Sequence, residues 1–272
     1  MKRHFTSFEH ISDTILNKIG RIILILLLWN CFPNKIEAQI VVDATSTVTS
    51  LASPATVSHT TGSGANRLML VAIAFEANGG NNVTGVTYGG TPLTLVGSAT
   101  NGTNAAVRIY RLINPTSGVA SVSVSFTSAP SNGAIIGVTT FTGVDQISPL
   151  GSAATVTGTS TTPSVNVSSA LGELVFDAVA VKTGSSLTQG AGQIELWDLS
   201  SVSERGASST ESGASTTTMS WTSSSDDWAI AGVSIKPYTS TSTLNPIKYL
   251  PISIIFIYST SFTLNGIILY RI

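Results

Sequence analysis

Past Ala38 the chain is a succession of short apolar or alternating runs divided by turn signals, with no sustained 3.6-residue apolar period. Val119–Thr127, VASVSVSFT, alternates strictly: Val122, Val124 and Phe126 point one way and the serines the other, as in a strand with one buried face. Arg67–Phe75, RLMLVAIAF, is almost continuously apolar, which predicts a strand covered on both faces. Further strands are predicted over Ile40–Val48, Val83–Tyr88, Thr91–Val96, Ala105–Ile113, Ala134–Phe141, Pro163–Val167, Glu173–Val181, Gly190–Leu199, Thr216–Thr222 and Trp228–Lys236. Short strands in series without intervening helices predict an all-β fold, here a two-sheet antiparallel β-sandwich of jelly-roll style. No fixed repeat period is evident, which argues against a solenoid. Gly89–Gly90, between two β-rich flanks, predicts a tight hairpin turn, because two adjacent glycines tolerate positive φ.

The first 38 residues differ from the rest. Basic Lys2, Arg3, Lys18 and Arg21 precede or open an apolar core, Ile22–Trp29, of 8 residues. That core suits an export signal and is far short of the roughly 20 residues of a membrane-spanning helix. Ile36 and Ala38 fit the −3 and −1 positions of a cleavage site, so a cut is expected after Ala38, leaving a secreted or cell-surface chain. Lipid attachment at Cys31 is the rival reading, but Leu28, Trp29 and Asn30 fit it poorly. The expected organisation is a signal helix over 1–38, a β-sandwich over 39–237, a polar linker over 238–248, and an incomplete β module over 249–272 with an Asn265–Gly266 hairpin. A membrane span over Pro251–Tyr270 competes with that module, but Ser253, Ser259, Thr260, Ser261, Thr263, Asn265 and Gly266 interrupt it, so no stable span is expected.

Composition narrows the chemistry. Charged residues are 10% of the chain and the net charge is −1, so no basic face predicts nucleic-acid binding. Once the leader is removed no cysteine remains, His59 is the only histidine, and no disulfide framework or zinc site can form. Glycine clusters at 62–67, 89–90 and 190–195 lack the Lys and the following helix of a phosphate loop. No GxSxG elbow accompanies His59, whose polar surroundings, TVSHTTGSG, predict a surface position.

Six stretches carry a resemblance: NRLMLVAIA (66–74), VTGVTYGGTPLTLVG (83–97), VRIYRLINP (107–115), FTGVDQISPLG (141–151), GELVFDAVAV (172–181) and WAIAGVSIKP (228–237). Together they resemble a secreted bacterial β-sandwich domain that recurs in large multi-domain extracellular proteins. The resemblance implies a sandwich fold and offers no catalytic residues to carry over. In the tail, Leu250, Pro251, Ile252, Phe256, Asn265 and Gly266 resemble the opening of a module found in type IX secreted proteins. Ser253 stands where that module has Glu, and Tyr270 where it has Trp. The resemblance implies an incomplete module and a truncated gene product.

The remaining candidates are carboxylates and rings. Asp177, Glu195, Glu211, Asp226 and Asp227 are the carboxylates a glycan hydrolase would have to pair. Asp177 has apolar neighbours, and an ion pair with Arg108, Arg111 or Lys182 is its structural alternative. Asp226 and Asp227 read as a solvated turn or as a calcium site. Tyr88 and Trp197, with Glu195 and Asp198 beside the latter, are the candidate contacts for a glycan, set against core packing of the same rings. These patterns favour a non-catalytic exported sandwich with a structural, adhesive or carbohydrate-binding role, partnered by glycans or cell-surface proteins. A jelly-roll glycan hydrolase is the alternative.

Overall fold

Strand β4 (Leu68–Phe75) is buried at every position because a core lies on each side of it. Met69, Val71, Ile73 and Phe75 enter one core, and Leu68, Leu70, Ala72 and Ala74 enter the other. Period-2 geometry divides the run between the two. The computed structural model describes residues 35–182 and 186–241, together with Lys18. Nearly all of them belong to one compact unit, Lys35–Ser240. The predicted signal core, the rest of the linker and the C-terminal module lie outside the described residues.

Antiparallel strands dominate this unit. In its first half, β2 (Val41–Ser50), β10 (Ala134–Thr142), β4, β8 (Ala105–Ile113) and β7 (Thr94–Asn101) pair in that order to form a five-stranded sheet. An outer sheet of β3 (Ala55–Thr61), β9 (Gly118–Phe126), β5 (Val83–Tyr88) and β6 (Thr91–Pro92) covers it. The second half forms another five-stranded sheet, in the order β11 (Ala154–Ser160), β18 (Asp226–Ile235), β13 (Leu174–Lys182), β16 (Glu204–Ser212) and β15 (Ile194–Ser200). Its outer sheet orders β12 (Ser164–Ser168), β17 (Thr216–Thr222) and β14 (Thr188–Gln189). The expected all-β antiparallel sandwich is therefore present, but built twice.

The two halves share one topology. With the two-residue β6 of the first half set aside, counting strands in each half gives the same sheet order, with β2, β10, β4, β8 and β7 matched by β11, β18, β13, β16 and β15. Registers agree as well. Leu68 to Phe75 faces Ile113 to Ala106 on β8, and Leu174 to Val181 faces Ser212 to Arg205 on β16. Both edge strands carry a bulge at the same place, between Leu95 and Gly97 in β7 and between Glu195 and Trp197 in β15. This duplication gives no fixed sequence period, because the loops differ in length and most matched positions differ in residue type.

Three cores result. One lies between the first pair of sheets, with Val57, Val86, Val122, Val124 and Phe126 against β4. Another lies between the second pair, with Val165, Val167, Met219 and Trp221 against Val175, Val179 and Val181. The middle core is the seam where the two five-stranded sheets meet, filled by Ile109, Ile135, Phe141, Phe176, Trp197 and a row of alanines. Phe141 and Phe176 touch edge to face across it, 6.1 Å between centroids. At the start and end of the unit, β1 (Lys35–Glu37) pairs with β19 (Thr239–Thr241). Those residues lie on the leader side of the expected cut and inside the expected linker, so strand structure extends past both boundaries.

Candidate functional site

The double glycine behaves as a hairpin turn. Gly89 (φ 52°) and Gly90 (φ 84°) both take positive φ between β5 and β6. The turn does not leave Tyr88 at a rim, because its ring is 3% exposed. The phenol donates to the carbonyl of Gly118 at 3.1 Å and shares a 3.0 Å hydrogen bond with the Thr61 hydroxyl.

Trp197 is the second ring the sequence singles out, and it is 6% exposed. Its acidic neighbours suggest a surface position on simple alternation. The bulge after Glu195 changes the phase, so that Glu195 stays exposed while Trp197 turns into the seam. There it lies on Gly137, where an added Cβ would sit 2.1 Å from the ring. Asp198 is bound to Arg205, whose Nε donates to Oδ1 at 2.6 Å and whose second nitrogen reaches Oδ2 at 2.5 Å. The four candidate glycan contacts thus divide: two buried rings, one ion-paired carboxylate and one exposed carboxylate.

Asp226 and Asp227 are the first residues of β18 rather than a turn. Successive residues on a strand point to opposite faces, which sets the two carboxylates apart. Asp227 accepts from the Thr159 hydroxyl and, at 2.5 Å, from Asn104 Nδ2. Those hydrogen bonds hold its pKa below the usual carboxylate range. Among the described residues no three His, Cys, Asp or Glu side chains come together to hold a metal ion.

Asp177 forms no ion pair with Arg108, Arg111 or Lys182. It is fully buried on β13, where Ser209 donates twice to Oδ1, from N at 2.8 Å and Oγ at 2.7 Å, and Trp221 Nε1 donates to Oδ2 at 2.6 Å. Gln193 completes the cluster by donating to Ser209 Oγ at 2.7 Å and accepting from Ser220 N at 2.7 Å. Burial pushes the Asp177 carboxyl up to about 6, and the Ser209 and Trp221 hydrogen bonds oppose that rise. Sealed in this way, Asp177 is removed from any open groove in which a hydrolase would need it.

His59 is not on the surface. It is 1% exposed on β3, along the inward series Ala55, Val57, His59, Thr61. The period-2 pattern ATVSHTT was the signal that could have placed it. His59 links the outer sheet to the five-stranded one, with Nε2 3.2 Å from the Thr140 hydroxyl and Nδ1 3.0 Å from the Ser46 hydroxyl. Thr140 donates onward to Asp43 Oδ2 at 3.0 Å, so its lone pairs receive Nε2–H, and Nδ1 accepts from Ser46. Burial lowers the imidazole pKa, while the charge of Asp43 partly offsets this.

Sequence reasoning also missed the polar rim of the seam. Ser203 donates to Glu76 Oε1 at 2.7 Å and Lys182 Nζ donates to Asn104 Oδ1 at 3.0 Å, both from the second half to the first. Between them, Glu204 is 0% exposed and neither of its carboxylate oxygens has a hydrogen-bond partner. Burial raises its pKa well above the usual range; Glu76 and Asp226 add to the rise, and Lys182 opposes it. Beside this rim an open groove of about 410 Å³ is lined by Thr49, Ser50, Leu51, Ser201 and Val202. Comparison with protein-family models, curated proteins and solved structures yields no match.

Proposed function

We propose that this chain is an exported, non-catalytic β-sandwich protein with a structural or adhesive role at the cell surface or outside the cell. The observation that carries this reading is where the reactive side chains are used. Asp177, His59, Trp197 and Asp227 each bind another strand of the same fold, and so tie layers together. The exposed faces of the edge strands are rich in Ser and Thr, which suits a hydrated exterior. The leader pattern and the resemblance to secreted sandwich domains point the same way.

The groove between Leu51 and Val202 is the contact surface this reading favours. Both side chains are exposed (54% and 68%) and hydroxyls flank them. The test is to express the full chain with its own leader in a host lacking it, then to measure location, attachment and sugar release together. The expected result is protein in the surface or extracellular fraction, attachment that drops when Leu51 and Val202 become Ser, and no sugar released from polysaccharides. Retention in the cytoplasm or hydrolysis of a glycan would overturn the reading. A glycan-array signal would turn it into a carbohydrate-binding role whose contacts include exposed residues such as Glu195, with Tyr88 and Trp197 as support.

A further inference from the structure

The seam between the halves holds side chains of opposite size at matched positions. By register, Trp197 on β15 is the counterpart of Gly97 on β7, and Gly137 on β10 is the counterpart of Ala231 on β18. Likewise Gly206 on β16 corresponds to Val107 on β8, and Ala74 on β4 to Ala180 on β13. The fit is tight at two crossings. A Cβ on Gly137 would meet the Trp197 ring at 2.1 Å, and a Cβ on Gly206 would meet the Ala74 Cβ at 2.6 Å. At the matching crossing on the other side, a Cβ on Gly97 would meet Ala231 at 3.5 Å, an ordinary contact.

We infer that the seam is a selective interaction surface: each five-stranded face fits the unlike half of the fold and rejects a copy of itself. Two second halves brought together by the same two-fold arrangement would set Trp197 on Ala231, whose Cβ fills the space that Gly137 leaves open. Two first halves would face Gly97 with Gly137 and leave a void where Trp197 now packs. The second-half pairing is therefore opposed by overlap and the first-half pairing by a void, and a packed core tolerates neither. The partner this surface takes is the complementary half, in the same chain or in a second copy that has exchanged halves through the connector at residues 143–153.

The test keeps the whole chain. A protease site is inserted at Ile147, the 93% exposed tip of that connector, and the folded protein is cut. The two fragments are expected to co-elute as a 1:1 particle. After unfolding and refolding of a mixture with isotope-labelled protein, native mass spectrometry is expected to find unlike pairs only. Fragments that elute apart, or like pairs at comparable abundance, would overturn the inference. A second measurement needs no cut: a double-mutant cycle of Gly137→Ala and Trp197→Ala in the full chain. The unfolding equilibrium is expected to suffer from Gly137→Ala at least tenfold less when Trp197 is already Ala, and simple additivity would sink the knob-and-hole account.

Discussion

Behind each five-stranded sheet a buried ionisable side chain ties strands together, and the two halves use opposite kinds. The first half holds His59, a base kept neutral and bridged by hydroxyls to two strands. The second holds Asp177, an acid whose carboxyl is raised to about 6 although three donors reach it. Shared topology thus leaves the polar content of a core free to vary, and both of these buried groups meet hydrogen-bond partners on neighbouring strands. The consequence is opposite pH behaviour. His59 binds fewer protons folded than unfolded, so its contribution is complete above the ordinary imidazole range and is lost as pH falls. Asp177 binds more protons folded than unfolded, so its contribution is greatest in acid. It is lost as pH rises from the ordinary carboxylate range through about 6. Held charged at neutral pH, it costs the fold about 3 kcal/mol.

The widest break between the halves comes from Trp221→Ala, which empties a core position and strips Asp177 of a donor. A loss of about 5 kcal/mol is expected in chemical denaturation. Phe126→Ala in the first outer core, where the ring packs against Phe75 at 5.6 Å, removes no hydrogen bond. About 3 kcal/mol is expected there. Next is Trp221→Phe, which keeps most of the ring and removes only the donor to Asp177 Oδ2. Its cost of about 2 kcal/mol at pH 7 should shrink at pH 5, where Asp177 is protonated. Glu204→Leu runs the other way: removal of a buried carboxylate with no partner is expected to stabilise by about 1–2 kcal/mol at pH 7, read as a higher denaturation midpoint. The smallest effect is a slope. Loss of His59 titration in His59→Phe should remove a dependence no steeper than about 1.4 kcal/mol per pH unit as pH falls. The matching change at Asp177, Asp177→Leu, should remove a slope of opposite sign. Equal signs in the two variants would contradict the comparison.

Strands were legible wherever burial alone shaped the pattern. RLMLVAIAF reads as doubly covered because two cores need it, and VASVSVSFT alternates because only one does. Residues whose direction depends on a local irregularity were not legible. The bulge next to Leu196 turns Trp197 inward against the phase its acidic neighbours suggest. Asp226 and Asp227 look like a turn beside three serines, yet pairing with Thr159 and Ser160 draws them into a strand. Polar flanks hid His59: Ser58 and Thr60 face solvent, while the hydroxyls that let the imidazole turn inward, Ser46 and Thr140, come from other strands. The duplication was hidden for a related reason. Matched strands such as Leu68–Phe75 and Leu174–Val181 share only Leu, Ala and Ala at equivalent positions, and others differ as widely as Gly97 and Trp197.

The matched bulges in β7 and β15 have a consequence beyond packing. Both strands are outer edges of their sheets, and each exposes an apolar residue near its bulge, Leu95 at the bulge of β7 and Ile194 one residue before that of β15. A straight edge of that kind would be a template on which another chain could add a strand. A bulge kinks the row of free amides and carbonyls and spoils that register, so growth stops at five strands on each side. For a protein proposed to collect at a crowded surface, the irregularity acts as a brake on aggregation.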